Sequence, residues 1–162
     1  MRAYIGLGSN LADPVEQVKT AISHLQQLPD SELIAWSSLY ASPPMGPQDQ
    51  PDYINAVVEV KTTLTALQLL DALQAIEQQQ GRIRNRHWGE RTLDLDVLLY
   101  GQEVIDDARL QIPHPGLALR AFVLYPLAEI KPDLTVPNLG QIQQLLQNCP
   151  QDSLRKLEKI VL

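Results

Sequence analysis

The order of apolar patterns along the chain is the feature that most constrains its fold. Runs rich in β-branched and aromatic residues, typical of strands, are interleaved with runs whose apolar residues recur at helical spacing. Asp13 and Pro14 mark the start of the first helical run, and Gly81 stands where the second should end. The patterns predict a strand, a helix, two strands, a helix and a strand, over residues 3–7, 14–27, 32–40, 53–62, 65–80 and 92–100.

This order of elements predicts the α+β fold class. Two strand–helix–strand units joined in this way form a ferredoxin-like βαββαβ core, an antiparallel four-stranded sheet with both helices packed on one face. Residues 101–162 are expected to form a C-terminal extension, with a hairpin-like piece, short helices near 118–125 and 141–147, and a last strand near 157–161. Because no linker separates the parts, we expect a single domain over residues 1–162.

Composition limits the partners that such a chain can have. The formal net charge is −6 and aromatic residues make up 5% of the chain, which disfavours a nucleic-acid or anionic-membrane surface as the main partner. No apolar run approaches the ~18 residues of a membrane span. The chain starts directly with a strand-like run, so we expect a cytoplasmic protein. We also expect a monomer. Cys149, the single cysteine, has no partner for an internal disulfide.

Residues 82–96 carry the strongest chemical signal. Four arginines precede Asp94 and Asp96 in this short stretch of an acidic chain. Both carboxylates should point to one face of a strand, roughly 7 Å apart. The opposite face would carry Leu93, Leu95 and Val97. Carboxylates that hold a divalent cation and guanidinium groups that hold phosphate oxygens suit a polyphosphate substrate, whereas solvated ion pairs and an exposed strand face are the alternatives.

Two further motifs admit both a structural and a ligand-binding interpretation. Gly6 and Gly8 lack the third glycine of a dinucleotide-binding loop, so they are interpreted as a tight strand-to-helix turn. His114 lies between two prolines and suits a structural turn and a phosphate contact equally well.

Aromatic side chains supply candidates for contact with a planar ligand. Trp88 lies in a polar, arginine-rich segment, which favours a lid over a ligand, although Trp88 and Phe122 would also suit a core. Tyr53 and Asn55 share one face of a predicted strand, where a ring and an amide could stack on a heterocycle and bind its edge. For Tyr53 and Asn55 alone, the core interpretation is favoured.

Four motifs occur in a fixed order, at residues 6–11 (GLGSNL), 43–55 (PPMGPQDQPDYIN), 91–96 (RTLDLD) and 112–115 (IPHP). Together they closely resemble the 6-hydroxymethyl-7,8-dihydropterin pyrophosphokinase family of folate biosynthesis, and the resemblance spans residues 3 to about 130. It implies a ferredoxin-like core and an enzyme that transfers pyrophosphate from ATP to the hydroxymethyl group of 6-hydroxymethyl-7,8-dihydropterin, releasing AMP.

The resemblance also implies roles for individual residues. Asp94 and Asp96 are expected to hold two Mg²⁺ ions on the phosphates of ATP, and Arg82 and Arg91 to meet the transition state, so these four are the implied catalytic residues. The implied ATP contacts are Gln74, Glu77, Arg84, Trp88, Arg91, Val97, Arg109, His114 and Arg120. The implied pterin contacts are Ser42, Pro43, Met45, Tyr53, Asn55, Trp88 and Phe122.

A different class of protein would be compatible with the same elements. Ferredoxin-like domains also occur as ligand-sensing modules without catalysis, and such a module is the alternative function. The chain also departs from the family pattern at two places. The segment from Arg84 to Trp88 is one residue shorter than is usual, and Glu90 stands where proline is common.

Overall fold

An antiparallel sheet with helices on both faces forms the fold in the computed structural model, which describes residues 1–11, 13–43, 51–80 and 93–161. Its elements are β1 (Arg2–Ser9), α1 (Pro14–Gln26), β2 (Ser31–Trp36), β3 (Ser38–Ser42), β4 (Tyr53–Thr62), α2 (Ala66–Gln79), β5 (Asp94–Tyr100), β6 (Ile105–Asp106), β7 (Gln111–Ile112), a 3₁₀ turn (Leu117–Leu119), α3 (Ala121–Ile130), β8 (Thr135–Val136), β9 (Gly140–Gln141), α4 (Ile142–Gln147) and β10 (Arg155–Lys159).

The strand order of the main sheet is β10-β3-β4-β1-β5, and β2 also pairs with β4. All of these pairings are antiparallel. β1 lies between β4 and β5, and each of the two crossover helices connects strands that are not neighbours. This is the split βαβ arrangement, so the predicted ferredoxin-like βαββαβ core is confirmed.

The strand predicted over residues 32–40 is two strands, β2 and β3, which are separated at Ser37. The N–H of Ser37 donates to the carbonyl oxygen of Val57 (2.9 Å), and its hydroxyl accepts from the N–H of Val57 (3.0 Å). A side chain thus replaces one link of the backbone ladder, which lets the strand bend. The predicted four-stranded sheet is also wrong, because this division and the pairing of β10 with β3 give six strands.

Two apolar clusters cover the two faces of the sheet. On one face, strand residues such as Ile5 and Val97 pack against α1 and α2, including Ile22 and Leu73. The opposite face packs against residues of the C-terminal extension, in a second cluster that includes Val57, Leu98, Leu99, Val123, Leu124, Leu127 and Ile142. The prediction that α1 and α2 share one face is confirmed, and the extension supplies the layer on the other.

The ends of the helices agree only partly with the sequence signals. Thr65 and Gln68 form a capping box at the start of α2, with hydrogen bonds of 3.2 and 2.9 Å. Asp13 precedes α1 as predicted, but its side chain makes no capping hydrogen bond. The helix predicted near 118–125 is a 3₁₀ turn followed by α3, while the helix near 141–147 is confirmed as α4. Among the described helices, none combines the length and hydropathy that crossing a membrane requires.

Candidate active site

A cavity of about 490 Å³ opens on the face of the sheet that carries the C-terminal extension. In β1, Gly6 pairs with Asp96 and Gly8 pairs with Asp94, while Gly8 also pairs with Asn55 of β4. Residues that pair directly across antiparallel strands point to the same face, so the aspartates and Asn55 surround a strip without side chains. A Cβ atom added to Gly8 would lie 3.2 Å from Oδ1 of Asn55. The glycines therefore give the cavity a flat floor.

The interpretation of Gly6 and Gly8 as a strand-to-helix turn is wrong, because both lie inside β1. Two glycines at positions i and i+2 of a strand share one face and leave room for a ligand or another backbone. That spacing was the sequence signal for the floor of the cavity. Other lining residues that the sequence did not reveal are apolar, namely Leu7, Ala56, Leu70, Leu95, Leu98 and Val123. The side chains of Leu7, Ala56, Leu70 and Leu95 belong to the cluster that packs against α1 and α2.

β5 directs the two carboxylates into the cavity. Asp94 and Asp96 line it, while Leu93, Leu95 and Val97 belong to the apolar cluster beneath α1 and α2, so the predicted alternation is confirmed. Val97 was also predicted to contact ATP. Its side chain is 2% exposed and lies in this cluster rather than in the cavity lining, since alternation turns it away from Asp96.

Glu77 of α2 lies against the outer edge of β5. Its Oε2 accepts a hydrogen bond of 2.7 Å from the N–H of Leu95, the residue between the two aspartates, and Glu77 itself is buried. β1 pairs with the other edge of β5, so this N–H has no partner in the sheet. The bond fixes the peptide from which Asp94 and Asp96 project into the cavity.

The His114 side chain is held in one orientation at the cavity wall. Its Nδ1 accepts from the backbone N–H of Gly116 (3.1 Å), while the backbone N–H of His114 donates to the carbonyl oxygen of Leu98 (3.0 Å) and fixes the main chain there. Burial lowers the pKa of His114, and the Arg120 guanidinium lowers it further, which outweighs the opposing effect of the Asp96 carboxylate. The neutral ring with its proton on Nε2 is therefore favoured, and this N–H is a donor suited to an anionic oxygen.

Arginine side chains flank the opening. The guanidinium carbon of Arg120 lies 5.8 Å from the ring centroid of Phe122. Gly116 makes room for Arg120, because a Cβ atom there would lie 2.5 Å from its Nε. Arg109, on the loop between β6 and β7, reaches α2 across the rim. Both arginines line the cavity, where they offset part of the negative charge of Glu77, Asp94 and Asp96, which line it as well.

A buried amide and two aromatic rings form the other end of the cavity. Nδ2 of Asn55 donates to Oγ of Ser42 over 2.7 Å, and both residues are buried. This bond fixes the amide and leaves Oδ1, the acceptor, beside Gly8. Tyr53 and Phe122 line the same space. This end suits a flat heterocycle that offers hydrogen-bond donors at its edge.

Eleven side chains selected from the sequence line this one cavity: Ser42, Tyr53, Asn55, Gln74, Glu77, Asp94, Asp96, Arg109, His114, Arg120 and Phe122. Pro43 lines a neighbouring cavity of about 470 Å³, which shares Ser42 and Phe122 with the first. The remaining predicted site residues, Met45, Arg82, Arg84, Trp88 and Arg91, lie outside the described residues.

The donor set fits a metal that arrives with its substrate. Within the described part of the chain, no group of three or more His, Cys, Asp or Glu side chains is placed to hold a metal ion. Asp94 and Asp96 provide two carboxylates on one strand face above a glycine floor. Mg²⁺ is usually bound by one or two carboxylates together with substrate phosphates and water, so this pair fits it.

Comparison with known proteins assigns the family. The family model of 7,8-dihydro-6-hydroxymethylpterin-pyrophosphokinase matches residues 4–132. The chain belongs to this family. The resemblance found in the sequence motifs is therefore confirmed, and with it the prediction of a pyrophosphokinase of folate biosynthesis.

Curated relatives agree with this family over nearly their full length. The chain is 50% identical over 156 residues to the 2-amino-4-hydroxy-6-hydroxymethyldihydropteridine pyrophosphokinase of Pseudomonas aeruginosa, covering 96% of each chain. It is 53% identical over 155 residues to the protein of the same name from Haemophilus influenzae, covering 96% of this chain and 97% of the relative.

Solved structures agree at the level of the fold. A crystal structure of wild-type Plasmodium falciparum HPPK-DHPS with pteroate matches with a TM-score of 0.71 and 16% sequence identity. The match covers 91% of this chain and 42% of that longer chain, so this chain is similar to less than half of it. The two proteins thus share a fold, but their sequence identity is too low to assign roles to residues of this chain.

Proposed function

We propose that the chain transfers pyrophosphate from ATP to the hydroxymethyl group of 6-hydroxymethyl-7,8-dihydropterin, giving the pterin diphosphate and AMP. One observation carries this proposal: Gly8 pairs with Asn55 on one side and with Asp94 on the other. Neighbouring strands lie about 4.8 Å apart, so the amide and the carboxylate are roughly 10 Å apart on one face. A heterocycle at Asn55 would therefore place its substituent beside phosphates held at Asp94.

The pterin end of the cavity would orient the acceptor substrate. Tyr53 and Phe122 provide rings for stacking, and the fixed Oδ1 of Asn55 provides an acceptor for donor groups on the pterin edge. Ser42 holds that amide in place. Met45 and Trp88 complete the proposed pterin site, which excludes water from the hydroxymethyl group and aims it at the phosphates.

The nucleotide end would bind the triphosphate by charge. Asp94 and Asp96 would hold two Mg²⁺ ions, which when bound neutralise phosphate charge and stabilise the negative charge that develops on the leaving group. Arg109 and Arg120 line the same cavity and would contact phosphate oxygens, and the Nε2–H of His114 would donate a further hydrogen bond to them. Gln74 and Glu77 lie on the α2 side of this proposed site, and Arg82, Arg84 and Arg91 complete it.

Catalysis in this arrangement is mainly positioning. Phosphoryl-type transfer needs the attacking and leaving oxygens in line and the charge of the transferred group stabilised, and little else from the protein. The sheet would supply that alignment, because β4, β1 and β5 hold Asn55, Gly8 and Asp94 in adjacent register. Arg82 and Arg91 are proposed to stabilise the charge of the transition state.

The nucleotide product tests the reaction directly. The protein is mixed with ATP, Mg²⁺ and 6-hydroxymethyl-7,8-dihydropterin, and the nucleotides are separated by chromatography. AMP that accumulates one-for-one with the pterin diphosphate is the expected result. ADP would indicate an ordinary kinase, and unchanged ATP would favour a sensing module, so either outcome contradicts the proposal. Asp96→Asn is expected to abolish AMP formation.

We also propose that the chain acts as a cytoplasmic monomer. The acidic composition and the highly charged edge strand β10, whose residues are all exposed, disfavour edge-to-edge pairing of two copies. Light scattering coupled to gel filtration is expected to give a mass near the 18.1 kDa of one chain. A mass of twice this value would contradict the monomer.

A further inference from the structure

Asp71, a carboxylate on α2, binds Arg109 at the mouth of the cavity. Nη2 of Arg109 donates to Oδ1 of Asp71 over 2.5 Å and to Oε1 of Gln74 over 3.3 Å. Asp71 and Gln74 lie three residues apart on α2, so both present to the same side of that helix. Arg109 and Gln74 line the cavity, whereas Asp71 does not.

The backbone of Arg109 is fixed as well. Its N–H donates to Oδ1 of Asp107 over 2.9 Å, and Asp107 and Leu110 exchange two backbone hydrogen bonds of 3.0 and 3.2 Å. The side chain of Leu110 is buried in the apolar cluster next to α2. The turn between β6 and β7 is thus anchored, and only the orientation of the Arg109 side chain remains to be set.

The Asp71–Arg109 pair contributes little to folding. The side chains of Asp71 and Arg109 are 60% and 48% exposed, and ion pairs this exposed to solvent add little to the free energy of unfolding. Its larger effect is on geometry. Asp71 and Gln74 bind one guanidinium nitrogen of Arg109, Nη2, so Nε and Nη1 remain as donors for a ligand.

We propose that Asp71 is a positioning residue for the nucleotide, which holds Arg109 so that its remaining donors meet a phosphate oxygen. The inference rests on the proposed ATP site. An arginine fixed before the ligand arrives loses less conformational freedom on binding, so the carboxylate strengthens ATP binding through Arg109. Asp71 itself does not line the cavity, so we expect its effect to be confined to nucleotide affinity.

The sign of the effect separates this role from simple electrostatics. A carboxylate near an anion repels it, so if Asp71 acted only by its charge, removing that charge would lower the KM for ATP. If Asp71 acts by orienting Arg109, Asp71→Asn raises the KM for ATP by about three- to tenfold. The kcat and the KM for the pterin should not change, because the alignment of the reacting groups is set elsewhere.

The experiment compares four proteins in the AMP-forming assay: wild type, Asp71→Asn, Arg109→Ala and the double variant. Asp71→Asn should have no effect in the Arg109→Ala background. The matched control is Asp133→Asn, which removes the same charge from an exposed ion pair with Lys131 (3.6 Å) and should leave all constants unchanged.

The outcomes distinguish the inference from the proposed function. An unchanged or lowered KM for ATP in Asp71→Asn, or an equal rise in the Arg109→Ala background, would overturn the positioning role while wild-type activity stands. A wild-type protein that forms no AMP would overturn both. Titration with a non-hydrolysable ATP analogue and Mg²⁺ gives the second readout, and the dissociation constant should follow the KM.

Discussion

Gly8 lies between the two ends of the cavity. It separates the buried amide of Asn55 from the carboxylate of Asp94, and it has no side chain to fill the space between them. An added Cβ would stand 3.2 Å from Oδ1 of Asn55, which must then shift by a few tenths of an ångström. The position of that oxygen is the part of the site that we expect to orient the heterocycle.

Gly8→Ala is therefore expected to weaken pterin binding. The KM for the pterin should rise by about tenfold, a loss of roughly 1.4 kcal/mol, while the KM for ATP changes little. Steady-state kinetics with each substrate varied in turn measures the difference. Alanine suits an extended strand, so a thermal midpoint close to that of wild type should accompany the change. An unaltered KM for the pterin would place the heterocycle elsewhere.

Residue chemistry was the most predictable level of the site. Arginines, paired aspartates and a histidine between prolines indicate their chemistry by residue type alone. Every predicted site residue within the described part of the chain lines the cavity, except Val97 and Pro43. Val97 was placed at the nucleotide by resemblance, although strand alternation already turned it towards the core. The apolar lining residues were not predicted, because the sequence around Leu70 or Val123 does not distinguish a residue that lines a cavity from one in the core.

At the level of elements, α2 and β5 are joined at the point where the carboxylates project. Glu77→Gln keeps the size of the side chain and an acceptor for the Leu95 N–H, but it removes the charge that strengthens this buried bond. We expect kcat to fall about three- to tenfold and the Mg²⁺ concentration for half-maximal activity to rise, because the aspartates are less firmly placed. Kinetics against Mg²⁺ concentration measures both.

The control for Glu77→Gln lies on the same helix. Gln78 is exposed and takes no part in the cavity, so Gln78→Ala should leave both quantities unchanged. If Glu77→Gln had wild-type kinetics at low Mg²⁺ concentration, the bond to β5 would not position the aspartates.

A second junction between elements predicts a pH dependence of stability. Glu129 at the end of α3 accepts bonds from the N–H and hydroxyl of Ser38 and from the hydroxyl of Tyr40, at 2.8 to 3.2 Å. Burial alone would raise the pKa of Glu129, but these hydrogen bonds outweigh it and hold the pKa below its ordinary value. A lowered pKa means that the folded state binds the ionised carboxylate more favourably than the unfolded state does.

The stabilisation by Glu129 is therefore present above the unfolded-state pKa of about 4.3 and is lost as the pH falls through the lower folded value. Glu129→Gln should lower the free energy of unfolding by about 1–3 kcal/mol at pH 7, because the amide cannot accept all of these bonds. Urea unfolding at pH 7 and pH 3 should show the difference shrinking in acid. Glu158→Gln, in an exposed pair with Lys19 (3.6 Å), serves as the control. A difference independent of pH would contradict this role.

The pairing of elements was less predictable than their order. The periodicity of apolar residues indicates helices and buried strands, and it predicted the βαββαβ order correctly. β10 is a strand of exposed, mostly charged residues, and nothing in its local pattern shows that β3 is its partner. The break at Ser37 depends likewise on a long-range bond to Val57 that no local pattern encodes.

For the molecule as a whole, the sheet is the shared wall of two apolar layers. α1 and α2 pack on one face and α3 and α4 on the other. Both apolar clusters include residues of the sheet, so each depends on the sheet being folded. The C-terminal strand reinforces this link, since the indole N–H of Trp36 donates to the carbonyl oxygen of Ile160 over 2.8 Å. We propose that residues 1–162 form one cooperative domain.

Equilibrium unfolding tests that proposal with two probes. In a Trp88→Phe variant, Trp36 is the remaining tryptophan and its fluorescence reports on the edge of the sheet, while far-ultraviolet circular dichroism reports mainly on the helices of both layers. A single domain of this size should unfold in one transition that both probes share, because the sheet joins the two layers. If fluorescence and dichroism had different midpoints, the extension would unfold separately, and the cavity, whose walls come from both the sheet and α3, would open before the core.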